Sequence, residues 1–292
     1  MLFRSGSSAA AILGETLVAT GQIELALPVL QKLVKETPNS ADARYVLGQA
    51  YASSGDSALA LTTLHDALKL KPTGRTAIGM VRLLTALRDF AGARELLAPI
   101  RTYLKDQPVL AELDGLILSG EGSVAKAENL LSEAQTRFPK DRGITVLLAR
   151  IRARALNPAA GIDVISKWLD VTPDDTEAHI LRADLLAAQK RTDDAVAEYK
   201  AVAEKFPDNI HVMNNLAWLL KDSDPDQALT WADKAAQLAP ESPVVLDTLG
   251  VLLLTHGNDS RRAQEVLTKA SGLAPKVPEI QQIGRASCRE RV

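Results

Sequence analysis

The chain is poor in the residues on which catalysis and cofactor binding most often depend. Its 292 residues hold one cysteine, Cys288, close to the C-terminus, so no internal disulfide and no cysteine-based metal site is available. Aromatic residues make up 4%, which suits helices packed through Ala and Leu better than a cavity built around a large ligand. No stretch approaches the roughly 18 consecutive apolar residues of a membrane span. Basic residues are not in excess, with 34 Lys and Arg against 36 Asp and Glu and a formal net charge of −2. Such a balance does not invite a nucleic-acid backbone. There is no glycine-rich phosphate loop, no pair of histidines at ligand spacing and no supported Ser/His/Asp arrangement. These absences argue against an enzyme, and neither a cofactor nor a metal is expected.

What the chain has instead is a period. A small residue recurs at Ala26, Ala60, Ala93, Ala127, Gly161, Ala195, Ala228 and Ala263, at spacings of 33 to 35 residues. A proline follows each one: Pro38, Pro72, Pro108, Pro139, Pro173, Pro207, Pro240 and Pro275. This regularity marks stacked supersecondary units, each unable to bury its apolar face alone and each covered by its neighbours. His65, His179, His211 and His256 fall in different repeats and different slots, so they do not form a metal site.

Within one period the pattern is a pair of helices. Ala43, Tyr45, Val46, Leu47, Ala50 and Tyr51 mark a first helix that stops at Gly55. Asp56 is placed to cap a second, which carries Leu59, Ala60, Leu61, Leu64, Ala67 and Leu68 and ends before Pro72. The spaced Leu47, Gly48, Tyr51, Ala60, Leu64, Ala67 and Pro72 resemble the tetratricopeptide repeat, TPR. Equivalent slots read Leu13, Gly14, Leu17, Ala26, Leu30, Leu33 and Pro38 in the first copy, and Leu249, Gly250, Leu253, Ala263, Leu267, Ala270 and Pro275 in the last. The resemblance implies an all-α fold, a right-handed superhelical solenoid with eight repeats and the start of a ninth over residues 7–282.

Three copies depart from the pattern. Gly120 and Gly122 are expected to shorten and interrupt the first helix after Pro108; Arg152 stands in a slot held elsewhere by an apolar residue; and Pro225 sits in a shortened turn between Lys221 and Gln227. Both chain ends also look foreign to the array. Residues 283–292, Ile283 to Val292, resemble the translation of a sequencing adaptor, and Leu2–Ser5 resemble the opposite adaptor. Residues 1–6 and 283–292 are therefore expected to be adaptor-derived or irregular, and the array to be an internal fragment of a longer protein. Without them 30 basic and 35 acidic residues remain, and the native part has no cysteine.

In TPR arrays the first helices line the concave groove, and the resemblance implies the same here. The groove-facing slots then include Tyr45, Gln49, Arg150, Arg154, Asp184, Asn214, Trp218 and Asp247. Arg150 and Arg154 lie four apart on one helix face, where they either clamp a carboxylate or phosphate or form an ordinary solvated face. Asn214 and Trp218 are also four apart, an amide able to pair with an extended backbone beside an indole that either anchors a partner or packs into the next repeat. Trp168 falls in a core slot. The lysine and asparagine clamp with which some TPR domains grip C-terminal carboxylates is not expected, since the matching slots hold Asp42, Tyr45 and Gln49. An RNA-binding pentatricopeptide array would need a basic groove and repeats ending in Gly-x-x-Pro-Asp, which these do not have.

The run from Asn214 to Leu220, followed by Ala228, Leu229, Pro240 and Val245–Gly250, resembles the terminal repeats of the TPR lipoproteins associated with the PEP-CTERM/exosortase system. That resemblance implies a non-catalytic protein-binding scaffold in a bacterial envelope system for exopolysaccharide export or surface-protein sorting. Its partner would be a protein or peptide segment and not a nucleic acid, and its place the envelope or periplasm, through a membrane anchor preceding the fragment. The alternatives are a cytoplasmic protein and a regulatory segment of a larger enzyme such as a glycosyltransferase.

Overall fold

The computed structural model describes residues 3–19, 22–71, 74–257 and 259–273. Met1, Leu2, Pro72, Pro275 and the adaptor-like tail lie outside the described residues. Among the described residues every regular element is a helix. In order they are α1 (Phe3–Ala19), α2 (Ile23–Glu36), α3 (Ala41–Ser53), α4 (Ser57–Leu70), α5 (Gly74–Ala86), α6 (Phe90–Leu97), α7 (Arg101–Leu104), α8 (Pro108–Gly120) and α9 (Val124–Arg137). There follow α10 (Arg142–Ala155), α11 (Pro158–Leu169), α12 (Thr176–Ala188), α13 (Thr192–Lys205), α14 (Ile210–Leu220), α15 (Pro225–Leu238), α16 (Pro243–Thr255) and α17 (Ser260–Leu273). Because α1 begins at Phe3, residues 3–6 are helical whatever their origin.

The same local devices cut each repeat. Helices begin at short polar side chains that accept a backbone N–H: Ser40 for α3, Asp56 for α4, Asn157 for α11, Asp175 for α12, Asn209 for α14 and Asp224 for α15. Each such cap stabilises its helix by about 1 kcal/mol. Second helices stop where a proline approaches, because the residue before proline is driven out of the helical region. Thr37, Phe138, Phe206 and Ala239 accordingly leave the helix at φ of −126°, −125°, −132° and −130°. In four of the pairs the turn between helices uses a left-handed residue, supplied in two of them by Gly55 at φ +86° and Gly122 at φ +85°. Arg88 and Lys190 hold the same place at φ 64° and 59°.

Packing follows the small-residue register. Ala26, Ala60, Ala93, Ala127, Ala195, Ala228 and Ala263 are fully buried where the second helix crosses its partner. The first helix is small at the facing site: a Cβ added to Gly48 would lie 2.7 Å from the Leu64 side chain. Antiparallel pairs thus interlock, with Leu30, Leu64, Leu131, Ile165 and Tyr199 filling the seams. Trp168 is buried as expected, and its indole N–H donates to Asp175 at 2.8 Å. At the last pair Leu252 and Leu253 are buried but Leu267 is only half-buried.

The chain divides into two compact units, Met1–Leu147 and Leu148–Val292. Within the first, α1 packs on α3, α3 on α5 and α5 on α8; within the second, α14 packs on α16. Second helices of neighbouring pairs do not approach one another as closely. A stack in which one row of helices is drawn closer than the other curves with that row inside, so α1, α3, α5 and α8 form the concave side of the first unit, and α14 and α16 that of the last two pairs of the second.

The irregularities differ in part from those expected. α8 is a full and continuous helix, not a short or interrupted one. Gly120 ends it where the Phe90 ring takes the space a side chain would need, and Gly122 supplies only the turn. The break lies one helix earlier, where Pro99 interrupts the second helix of the third pair: α6 gives way to a 3-10 turn, Ala98–Ile100, and then to the short α7. Ion pairs tie the broken helix back to α8, with Arg101 bidentate on Asp114 at 2.7 and 2.8 Å and Arg94 on Glu121 at 2.6 Å. Arg152 is half-buried. Pro225 stands at the first turn of α15, where its missing N–H costs nothing.

Candidate protein-binding groove

Counting from the residue at which each first helix meets its partner, which is small at Gly14, Gly48, Gly115, Ala149, Ala183, Ala217 and Gly250 and is Val81 in the third pair, fixes which side chains share one face. Three residues before it stand Tyr45, Glu112, Asn214 and Asp247; one residue after it stand Glu15, Gln49, Arg82, Arg150, Asp184 and Trp218.

In the first unit these positions satisfy one another. Tyr45 is 7% exposed, its ring fills the space left by Gly79, and the Arg75 guanidinium lies 4.8 Å over it. Gln49 donates to the Tyr45 hydroxyl at 3.0 Å. Arg75 reaches past α3 to Glu15 on α1 at 3.5 Å, and Arg82 bonds Glu112 at 2.9 Å. Burial pushes the Glu112 carboxyl above its usual value, and the Arg82 guanidinium pulls it part of the way back. Tyr45 and Gln49, expected to face a partner, are therefore largely engaged with the protein itself.

The second unit has one saturated cluster and one open seam. Asp184 is half-buried and accepts from the Tyr199 hydroxyl and from Asn215 Nδ2 at 3.3 Å, with His211 Nε2 3.4 Å away. Asn215 also bonds the Tyr199 hydroxyl at 2.8 Å. Sequence reasoning missed Asn215, although its place beside Asn214 on a buried helix was visible. Behind it Glu198 holds both His179 and Arg182, the latter at 2.8 Å. Arg150 and Arg154 are both exposed and make no ion pair among the described residues.

On α14 and α16 two polar side chains, Asn214 and Asp247, stay unpaired among the described residues. Asn214 is 6% exposed, and its buried Oδ1 has no hydrogen-bond partner. Trp218, four residues on, is half-buried, with Lys221 Nζ 5.0 Å over its ring. The indole packed between repeats is Trp231 on α15, which lies against Ala235, Met213 and Val245. Asp247 is exposed and has no ion pair among the described residues, and the part of its solvation lost against the protein pushes its carboxyl above the usual aspartate value. Asn214, Trp218 and Asp247 thus share one seam, while Asp184 belongs to the cluster beside it and Arg150 and Arg154 to α10. Among the described residues no three His, Cys, Asp or Glu side chains gather as a metal site, and no helix is long and apolar enough to cross a membrane.

A stack of helical pairs that presents a row of first-helix side chains along each concave face is the architecture of a protein-interaction scaffold. The tetratricopeptide repeat family matches residues 13–75, 146–210 and 180–243, more than half of the chain, and the chain belongs to it. Members are generally non-catalytic interaction modules that bind protein or peptide partners. Among solved structures the fold is similar to a chain of the APC/C hetero-tetramer Cut9-Hcn1, at 14% identity and a TM-score of 0.55 over 83% of this chain. It spans about half, 48%, of that chain's length. It is also similar to a double mutant of MamA from RS-1, at 20% identity and a TM-score of 0.51, over 58% of this chain and 95% of that one. No curated protein matches the sequence.

Proposed function

We propose that the protein is a non-catalytic scaffold whose second unit holds an extended segment of a partner protein on the concave face of α10, α12, α14 and α16. The observation that carries this reading is the Asn214 amide, buried yet without a hydrogen-bond partner, one turn from a half-exposed indole. An unpaired buried polar group costs about 1–3 kcal/mol, and an amide is recovered most simply by a peptide backbone, which brings both a donor and an acceptor. Trp218 is the anchor. Arg150 and Arg154 meet an acidic group further along the same segment. Tyr45, Gln49, Asp184 and Asp247 shape the faces, and the carboxylates among them favour protein over nucleic acid as the partner.

The biological setting follows from the resemblance of Asn214–Gly250 to envelope TPR lipoproteins: a bacterial exopolysaccharide-export or surface-protein-sorting assembly, with the scaffold held at the envelope. Affinity purification of the native protein and of its Trp218→Ala variant, with fractionation of the cells, tests both parts. A partner lost with the indole, from an envelope fraction, is the expected result. Equal recovery of every partner by both forms would remove the groove reading, and recovery in the cytosol alone would remove the envelope setting.

A further inference from the structure

The seam between α14 and α16 holds a carboxylate without a cation and a buried amide oxygen without a donor. Asp247 stands in the register that Glu112 holds on α8, three residues before the glycine of the helix crossing. Glu112 is answered by Arg82, one residue past the crossing site of the preceding first helix, at 2.9 Å. The corresponding position before Asp247 is Trp218. Where the first unit places a guanidinium, the second places the face of an indole, and the carboxylate opposite is left without a cation. The buried Oδ1 of Asn214, in the same register one first helix back, likewise lacks a donor.

Basic side chains on the flanking segments are paired with other carboxylates. Lys221 bonds Asp222 at 2.7 Å while lying over Trp218, Arg262 is held by Asp233, and Lys269 bonds Glu241 at 2.7 Å. Lys221 also shows that the indole face accepts a cation. A carboxylate, an aromatic face and an amide oxygen on one side of two helices match an ammonium or guanidinium group, through charge, cation–π attraction and hydrogen bonding together. An acidic or purely apolar side chain placed there would leave the Asp247 charge uncompensated.

Resting on the groove reading above, we infer that the partner segment seated on the second unit carries a lysine or arginine side chain that lands between Trp218 and Asp247. The ligand thus supplies the cation that Arg82 supplies within the first unit. Specificity follows from the same chemistry: a segment lacking the cation binds the backbone-reading amide but leaves the carboxylate exposed to the cost of partial desolvation.

The test is selection of binders to the whole chain from a random dodecapeptide library, followed by synthesis of the binders with acetylated and amidated ends. Binders are expected to share a Lys or Arg. Replacing that residue by citrulline or norleucine should weaken binding to the unaltered chain at least tenfold. Asp247→Asn should do the same, while Asp208→Asn, an equal change of charge at an exposed turn, should leave affinity unchanged. Circular dichroism of the variants confirms that the helices persist, and the citrulline peptides make the result independent of folding. Binders that need Trp218 but tolerate citrulline and Asp247→Asn would overturn the inference and leave the groove reading standing. Equal losses with Asp208→Asn would reduce the effect to bulk charge and overturn it too. Binders indifferent to Trp218→Ala, or no binders, would overturn both.

Discussion

Glu112 and Asp247 stand in one register of one repeat and meet opposite fates. On the concave face of the first unit Glu112 is 16% exposed and pairs with Arg82, while Arg75 spans α3 to join Glu15 and cover Tyr45. On that of the second, Asp247 has no cation and Asn214 no donor. Since the helix pairs beneath are built alike, the difference is one of surface chemistry laid over a shared frame. A face whose charges are neutralised within the chain gains rigidity and loses appetite for a ligand. The face left unsatisfied has something to gain from one.

Perturbing the shared frame should have the largest effect and the same effect in both units. Ala60→Leu and Ala195→Leu each overfill a fully buried crossing and should each cost about 1–3 kcal/mol, measured by chemical denaturation. A marked inequality between them would show that the two frames are not equivalent. Next comes the anchor: Trp218→Ala should lower partner affinity by about 2 kcal/mol with helical content unchanged, read by titration calorimetry against a selected peptide. Loss of folding instead would place Trp218 in the core.

Exchanging the two chemistries sharpens the contrast further. Arg82→Ala should strip Glu112 of its partner and cost about 1 kcal/mol, a modest figure because the arginine is 51% exposed. Trp218→Arg should do the reverse, pairing Asp247 in the manner of Arg82 and Glu112, leaving stability within about 0.5 kcal/mol of its starting value and abolishing peptide binding. Retained binding by Trp218→Arg would break the analogy between the two registers.

The smallest effect is the pH dependence of Asp247. Its carboxyl titrates above the unfolded value because of lost solvation, so the ionised form opposes folding. That penalty is fully present above the raised folded value and fades as pH falls toward the ordinary aspartate value. Asp247→Asn should accordingly stabilise the protein near neutral pH by a few tenths of a kcal/mol, a figure reduced for solvent screening, and by nothing at pH about 3. Thermal unfolding at the two pH values checks it, and a gain that grows on acidification would reverse the sign.

Much of the fold was legible because its determinants are local. Asp56 caps α4 three residues from the N–H it accepts, and proline ends the second helices by excluding its neighbour from the helical region. The third and fourth pairs were harder. Two glycines near the end of α8 suggested a broken helix, yet Gly120 is accommodated by Phe90 from another helix, and the true break at Pro99 was hidden by the apolar run Leu96–Ile100. The candidate site was legible only as a set of positions. Asn214 and Asn215 are adjacent and identical, and nothing local distinguishes the amide bonded to Tyr199 and Asp184 from the one left without a partner.

By itself, the sequence determined the all-helical repeat, its pairing and which register positions recur along the first helices, since a period of 33 to 35 residues repeats the same local instructions and neighbouring copies bury each other. Tertiary structure alone decided which of the residues at those positions remain available. Arg82 and Glu112 are 30 residues apart, and Asn215 and Asp184 are 31 apart, so each is satisfied or left open by a side chain one repeat away. That outcome depends on how adjacent first helices align, which no single repeat encodes.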